Sequence, residues 1–147
     1  ALVARSLQSL ARRRNLNKNV WRAHFERVVA VCDQADADGA VRVLNACTRA
    51  PVPCGHIISP FVERLRRLLP QCSVKHLAIA ANALARLNVR DDIVTDMSRE
   101  LRSKFHKCTP VQASLIASAF ARLRVVDRVL FGHLIPTYVE DRAWRVK

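Results

Sequence analysis

Glycine and proline are scarce in this chain: 3 and 6 of 147 residues. Aromatic residues make up only 5%. So few turn formers and ring side chains argue against a protein of many short strands. No apolar run approaches the roughly 20 residues needed to cross a bilayer, since Ile57 to Leu69 is interrupted by Ser59, Pro60, Glu63, Arg64, Arg66 and Arg67. The five cysteines (Cys32, Cys47, Cys54, Cys72 and Cys108) form no Cys-x-x-Cys pair. A zinc site is therefore not expected, and most of them read as small core residues in a reducing compartment. The isolated glycines Gly39, Gly55 and Gly132 make no phosphate loop. The five histidines are scattered, and no His-Glu-x-x-His motif occurs. No nucleophile and base stand together, so no catalysis, cofactor or metal is expected. Asp33, Asp36 and Asp38 read as capping and charge balance before a helix.

Acids are the other shortage. Lys and Arg number 25 against 12 Asp and Glu, a formal net charge of +13. An excess of that size repels itself unless a polyanion screens it, and nucleic acid is the commonest such neighbour. Half the residues are hydrophobic, with abundant Ala and Leu, which points to a folded helical chain. Residues 1–25 hold six basic residues (Arg5, Arg12, Arg13, Arg14, Lys18 and Arg22) and no acid. That composition reads either as a mitochondrial transit segment or as the basic outer face of a first repeat.

The strongest pattern is internal repetition. The segment starting at Ser73 lies on the one starting at Thr109 without a gap, at an offset of 36, matching Ala83 with Ala119, Ala85 with Ala121, Arg86 with Arg122 and Asp91 with Asp127. Asn45 to Arg49 lies on Asn82 to Arg86, and Gln8 to Arg12 on Asn45 to Arg49, each at 37. This period predicts an all-α fold, a right-handed α-solenoid of about four helix-turn-helix repeats. The repeats fall at approximately 1–35, 36–72, 73–108 and 109–147, in a single domain.

Each copy reads as helix A, a turn and helix B. In the third copy, Leu77, Ala81, Leu84 and Leu87 form one apolar face of helix A over Val74–Leu87. Ile93, Val94, Met97, Leu101 and Phe105 form the stripe of helix B over Asp91–Lys107. Ser73 and Thr109 are predicted A-helix caps, the latter followed by Pro110 and Gln112, while Asp91 and Asp127 are predicted to cap B helices. Ser59-Pro60 is expected to start the second B helix and Pro70 to end it, with Pro136 kinking or ending the last.

A small polar residue stands four positions before each repeated arginine: Gln8/Arg12, Asn45/Arg49, Asn82/Arg86 and Ser118/Arg122. That spacing puts both on one helix face. Stacked copies would line them up as a rail for a single RNA strand, guanidinium on phosphate or base and amide or hydroxyl on a base edge. Lys75, His76 and Gln112 extend the same polar side near the helix starts. A structural alternative stands beside it: arginines at a helix C-terminus meet the dipole or pair with Asp91 or Asp127, and the Asn and Ser tie helices together. The basic runs Arg12–Arg14 and Arg64, Arg66, Arg67 read as solvated faces that also suit a phosphate backbone.

An Ala-rich helix ending in Ala-Leu-Ala-Arg-Leu (83–87) or Ala-Phe-Ala-Arg-Leu (119–123), followed by a turn and a more polar helix, resembles the octotricopeptide and heptatricopeptide repeats and the related repeats of FAST-kinase-like proteins. Ala80–Val89 and Ile116–Val125 carry the likeness best, Asn45–Val52 more loosely, and residues 1–35 hardly at all. The resemblance implies a mitochondrial matrix protein of RNA metabolism or translation that binds RNA along helix A, with ribosomal RNA or an organellar transcript as ligand. Many members carry a C-terminal RAP domain, which is not recognised in these residues, so no nuclease-like activity is expected. So short an array implies work beside other protein subunits, as in a mitochondrial ribosome or its assembly machinery. The competing expectation is a non-catalytic helical adaptor that grips protein partners.

Overall fold

In the computed structural model, residues 2–132 are described, and they are helical without a strand among them. The chain divides into two compact units between Gln71 and Cys72, next to the expected junction of the second and third repeats. The all-α expectation holds for the described residues.

The first unit contains two hairpins. Helices α1 (Leu2–Arg12) and α2 (Lys18–Ala30) form the first, α3 (Ala37–Cys47) and α4 (Gly55–Leu68) the second. Single turns of 3₁₀ helix follow α2 and α4, at Cys32–Gln34 and Leu69–Gln71. Helices α1 and α3 lie side by side, and each B helix packs on its own A helix. Ala4 lies close to Gly39, so the starts of α1 and α3 meet and the two run the same way. Trp21, Phe25, Leu7, Leu44, Ile57, Phe61 and Leu65 are the largest side chains sealed in this core.

The second unit repeats the plan with α5 (Val74–Arg86), α6 (Ile93–Lys104) with a 3₁₀ turn at Phe105–Lys107, α7 (Pro110–Arg122), and a helical stretch over 128–132. Helix α5 packs along α7 and carries α6 on its side. Much of what these two helices bury is small: Ala78, Ala80, Ala81, Ala83, Ala113 and Ala119, beside the larger Leu77, Leu84, Ile116 and Phe120. The predicted stripe of helix B is buried at Ile93, Val94, Met97 and Leu101.

Helix starts follow the sequence closely. Ser73 and Thr109 accept hydrogen bonds from the His76 and Gln112 N–H groups, both 3.2 Å, and each partner side chain accepts the cap N–H in return. Asp36 caps α3, accepting from the Gly39 N–H at 2.7 Å. Asp91 accepts from the Ile93 N–H, although Asp92 rather than Asp91 stands at the N-cap of α6, and Asp127 accepts from the Leu130 N–H, both at 2.9 Å.

Two features depart from expectation. Helix α4 starts at Gly55, five residues before Pro60, which lies inside it. Ile57, Phe61, Leu65 and Leu68 are buried at helical spacing, so the helix must already be formed at Ile57 to place that stripe. Burial of those side chains outweighs the hydrogen bond that Pro60 cannot donate. Pro70, by contrast, follows the end of α4, as expected. Pro136 lies outside the described residues.

The second feature is how A helices end. Arg14, Asn88 and Arg124 have left-handed backbones, with φ of 51°, 53° and 55°. In each case two reverse hydrogen bonds close the helix end. Around Asn88 they run from its own N–H to Ala85 O and from the Val89 N–H to Leu84 O. The same pair occurs at Arg14 with Asn15, and at Arg124 with Val125. This closure normally uses glycine. The equivalent position in the second copy is Pro51, whose ring forbids positive φ. Helix α3 therefore ends differently, on successive bonds from the Thr48, Arg49 and Ala50 N–H groups to carbonyls three residues back.

Candidate nucleic-acid interface

Arg12, Arg86 and Arg122 are the last residues of α1, α5 and α7, and Arg49 lies two residues beyond α3. The position follows from the chain: apolar residues at helical spacing bury the body of each A helix and leave its final turn at the edge of the core. All four arginines are exposed. Among the described residues none of the four has a hydrogen bond or ion pair to its side chain, so the expected alternative pairing with Asp91 or Asp127 does not form. Each retains its helix C-terminal placement, which favours a cation. Because α1 and α3 run the same way, Arg12 and Arg49 stand at one end of the first unit.

The polar partners divide. Asn45 and Asn82 are half-buried and Ser118 is exposed, with no side-chain hydrogen bond among the described residues. Gln8 is engaged: its amide oxygen accepts from Arg42 across the α1–α3 contact, and Arg42 also pairs with Asp38 at 2.6 Å. His76 and Gln112 serve the capping boxes, so helix starting, rather than ligand contact, accounts for these two residues. Lys75 is exposed beside them.

Of the two basic runs, only one is unencumbered. Arg12, Arg13 and Arg14 are all exposed. In the other, Arg66 and Arg67 face Glu63 at 3.4 and 3.8 Å, and Arg64 donates to Ala35 O at 2.9 Å.

Among the described residues, the buried charged group is Asp127. Its side chain accepts from the Leu130 N–H, from the Ser98 hydroxyl, and from Arg102 through Nε at 2.9 Å and Nη2 at 2.8 Å. Burial pushes its carboxyl upward. The hydrogen bonds from Leu130, Ser98 and Arg102, with the Arg102 charge, outweigh that and hold it below the usual carboxylate range. Sequence reading found Asp127 as a cap but missed its cross-helix bonds, because Ser98 and Arg102 lie far back in the sequence with no motif linking them to it.

Among the described residues the five cysteines form no disulfide; Cys32, Cys47 and Cys72 are buried. Cys54, half-buried, donates to Cys47 O at 3.7 Å. The neighbouring Cys47 thiol favours the Cys54 thiolate and holds the Cys54 thiol below its ordinary value despite burial, while that of Cys47 is raised. His56, near Cys54 in sequence, instead sets its ring edge-on to Phe25 at 6.2 Å. Among the described residues, no three His, Cys, Asp or Glu side chains are grouped to hold a metal ion, and no helix is long and apolar enough to cross a membrane. No known protein family model, no curated protein and no solved structure matches the chain.

Proposed function

We propose that this chain is an RNA-binding helical-repeat protein of mitochondria, a non-catalytic subunit of a ribonucleoprotein such as the mitochondrial ribosome or its assembly machinery, with its hairpins arrayed as a solenoid. The observation that carries the reading is the recurrence, at a period of 36–37 residues, of an exposed arginine without an acidic partner at the end of each A helix. A formal charge of +13 supports a polyanionic ligand. Helix-hairpin repeats of this kind present equivalent positions along one surface, and single-stranded RNA offers phosphates and unstacked bases to such a row. Asn45, Asn82 and Ser118 supply the polar groups beside the arginines.

The test replaces Arg49, Arg86 and Arg122 together with Gln and measures single-stranded RNA affinity over a range of salt. Each lost phosphate contact removes about 0.7 from the slope of log affinity against log salt. The triple variant should therefore show a slope shallower by about 2, with unchanged helical circular dichroism. Unchanged affinity at moderate salt refutes the reading.

One feature favours the second reading, a helical adaptor for protein partners. The first unit holds an apolar cavity of about 370 Å³ lined by Leu2, Val3, Val28, Val31, Val43 and Phe61 among others, and Leu2 at its edge is 79% exposed. An adaptor predicts that RNA leaves the chain's resonances unperturbed, while substitution of Leu2 by a charged residue releases a bound protein.

A further inference from the structure

The second unit carries a polar recess of about 310 Å³ that the ladder of A-helix arginines does not use. It lies between α6 and the turn after α7, with Thr95, Ser98, Arg99, Arg102, Arg124 and Asp127 in its wall. We infer that this recess binds a terminal phosphate monoester, the 5′ end of an RNA strand, with Arg102 and Arg124 as the direct ligands and Thr95 as a hydroxyl donor. The choice of RNA as carrier rests on the function proposed above; the phosphate chemistry does not.

Charge is the first argument. Three guanidiniums stand in the wall against the Asp127 carboxylate, with Asp96 beside Arg99 at 3.4 Å, a net of +1 that a phosphate monoester, close to doubly negative near neutral pH, complements more strongly than a singly charged internal diester. Preorganisation is the second. Both Arg102 bonds end on one oxygen of a buried carboxylate that Ser98 and the Leu130 N–H hold in place. The guanidinium is thereby fixed while its Nη1 group stays unused among the described residues. A fixed guanidinium loses little freedom when it meets an anion. The third argument is Arg124. Its backbone is left-handed, with φ of 55°, where glycine is the ordinary choice. Its side chain is exposed and has no partner among the described residues. Arg99 is partly occupied by Asp96 at 3.4 Å and contributes charge more than contact.

The test is fluorescence anisotropy of the full chain with a short oligouridine bearing a 5′-phosphate or a 5′-hydroxyl. The phosphate should tighten binding about tenfold, the worth of one charged hydrogen bond. Arg124→Gln should reduce that advantage to about twofold or less, a ratio that a general loss of basic charge, acting on both strands alike, leaves untouched. Equal affinities in the unsubstituted protein overturn the inference. Tighter binding of a phosphoserine peptide than of the phosphorylated strand overturns the assignment to RNA. Should neither oligonucleotide bind, the RNA reading fails, and inorganic phosphate then decides the recess by itself. Shifts in the Nε–Hε resonances of Arg102 and Arg124 sustain the phosphate chemistry, and their absence overturns it.

Discussion

Replacing Asp127 removes three kinds of support at once, and their sizes can be separated. In Asp127→Ala the 128–132 helical stretch loses its cap, which costs about 1 kcal/mol. The buried Ser98 hydroxyl loses its acceptor, a further 1–3 kcal/mol or so. The ion pair contributes little, about 0.5 kcal/mol or less, because Arg102 is half in solvent. The expected loss is about 3 kcal/mol. Asp127→Asn keeps an oxygen for the Leu130 N–H but sets an amide NH2 where the other carboxylate oxygen accepted from Ser98 and Arg102, so it should cost about 2 kcal/mol. The pH dependence sharpens the test. The folded carboxyl titrates below its unfolded value of about 3.9, so its contribution is fully present above that pH. It is lost as pH falls through the folded value, where Asp127 becomes neutral and resembles asparagine. Urea unfolding followed by circular dichroism should therefore show a gap between wild type and Asp127→Asn at pH 7 that closes under acid. A gap that ignores pH, or an Asp127→Ala variant that loses less than about 1 kcal/mol, refutes this account.

The left-handed helix ends give an ordered series. Arg14→Gly should stabilise by about 0.5–1 kcal/mol, relief of Cβ crowding less the extra freedom of glycine when unfolded. Asn88→Gly should change stability less, since asparagine tolerates this region; the reverse order in thermal melts would contradict the reasoning. Among the thiols, Cys54 should be alkylated by iodoacetamide fastest at neutral pH, and Cys47→Ala should slow it by removing the neighbouring thiol that favours the thiolate. Mass spectrometry of the modified peptides reads out both effects.

Much of the fold was legible in the chain. The offset of 36–37 placed the hairpins, and Ser73, Thr109, Asp91 and Asp127 marked helix starts because capping is a local exchange between neighbours. Pro60 misled because local propensity argued for a boundary there, whereas the burial of Ile57, Phe61, Leu65 and Leu68 is a tertiary term that no short window contains. The left-handed closures at Arg14, Asn88 and Arg124 were hidden because no glycine marks them. Their common place in the repeat was the available clue, with Pro51 as its exception. At the candidate site, the exposure of Arg12, Arg49, Arg86 and Arg122 followed from their period. The local duty of Gln112 was read from its place three residues after Thr109, and that of His76 could have been read in the same way from Ser73. The recess around Arg102 and Arg124 was invisible, since its walls come from segments separated by more than twenty residues and linked by the bonds of Ser98 and Arg102 to Asp127.

The alanine seam between α5 and α7 makes the second unit lopsided in what it tolerates. Ala80, Ala81 and Ala83 have no exposed surface at all, so each is enclosed by packed neighbours that leave no room for a larger side chain. Pruning such a residue to glycine removes little volume, while enlarging it to valine or leucine wedges the helices apart along their whole length. Random change would thus be filtered by size as well as polarity on this seam, and drift in the second unit is channelled outward, to the helix tips where the arginines stand.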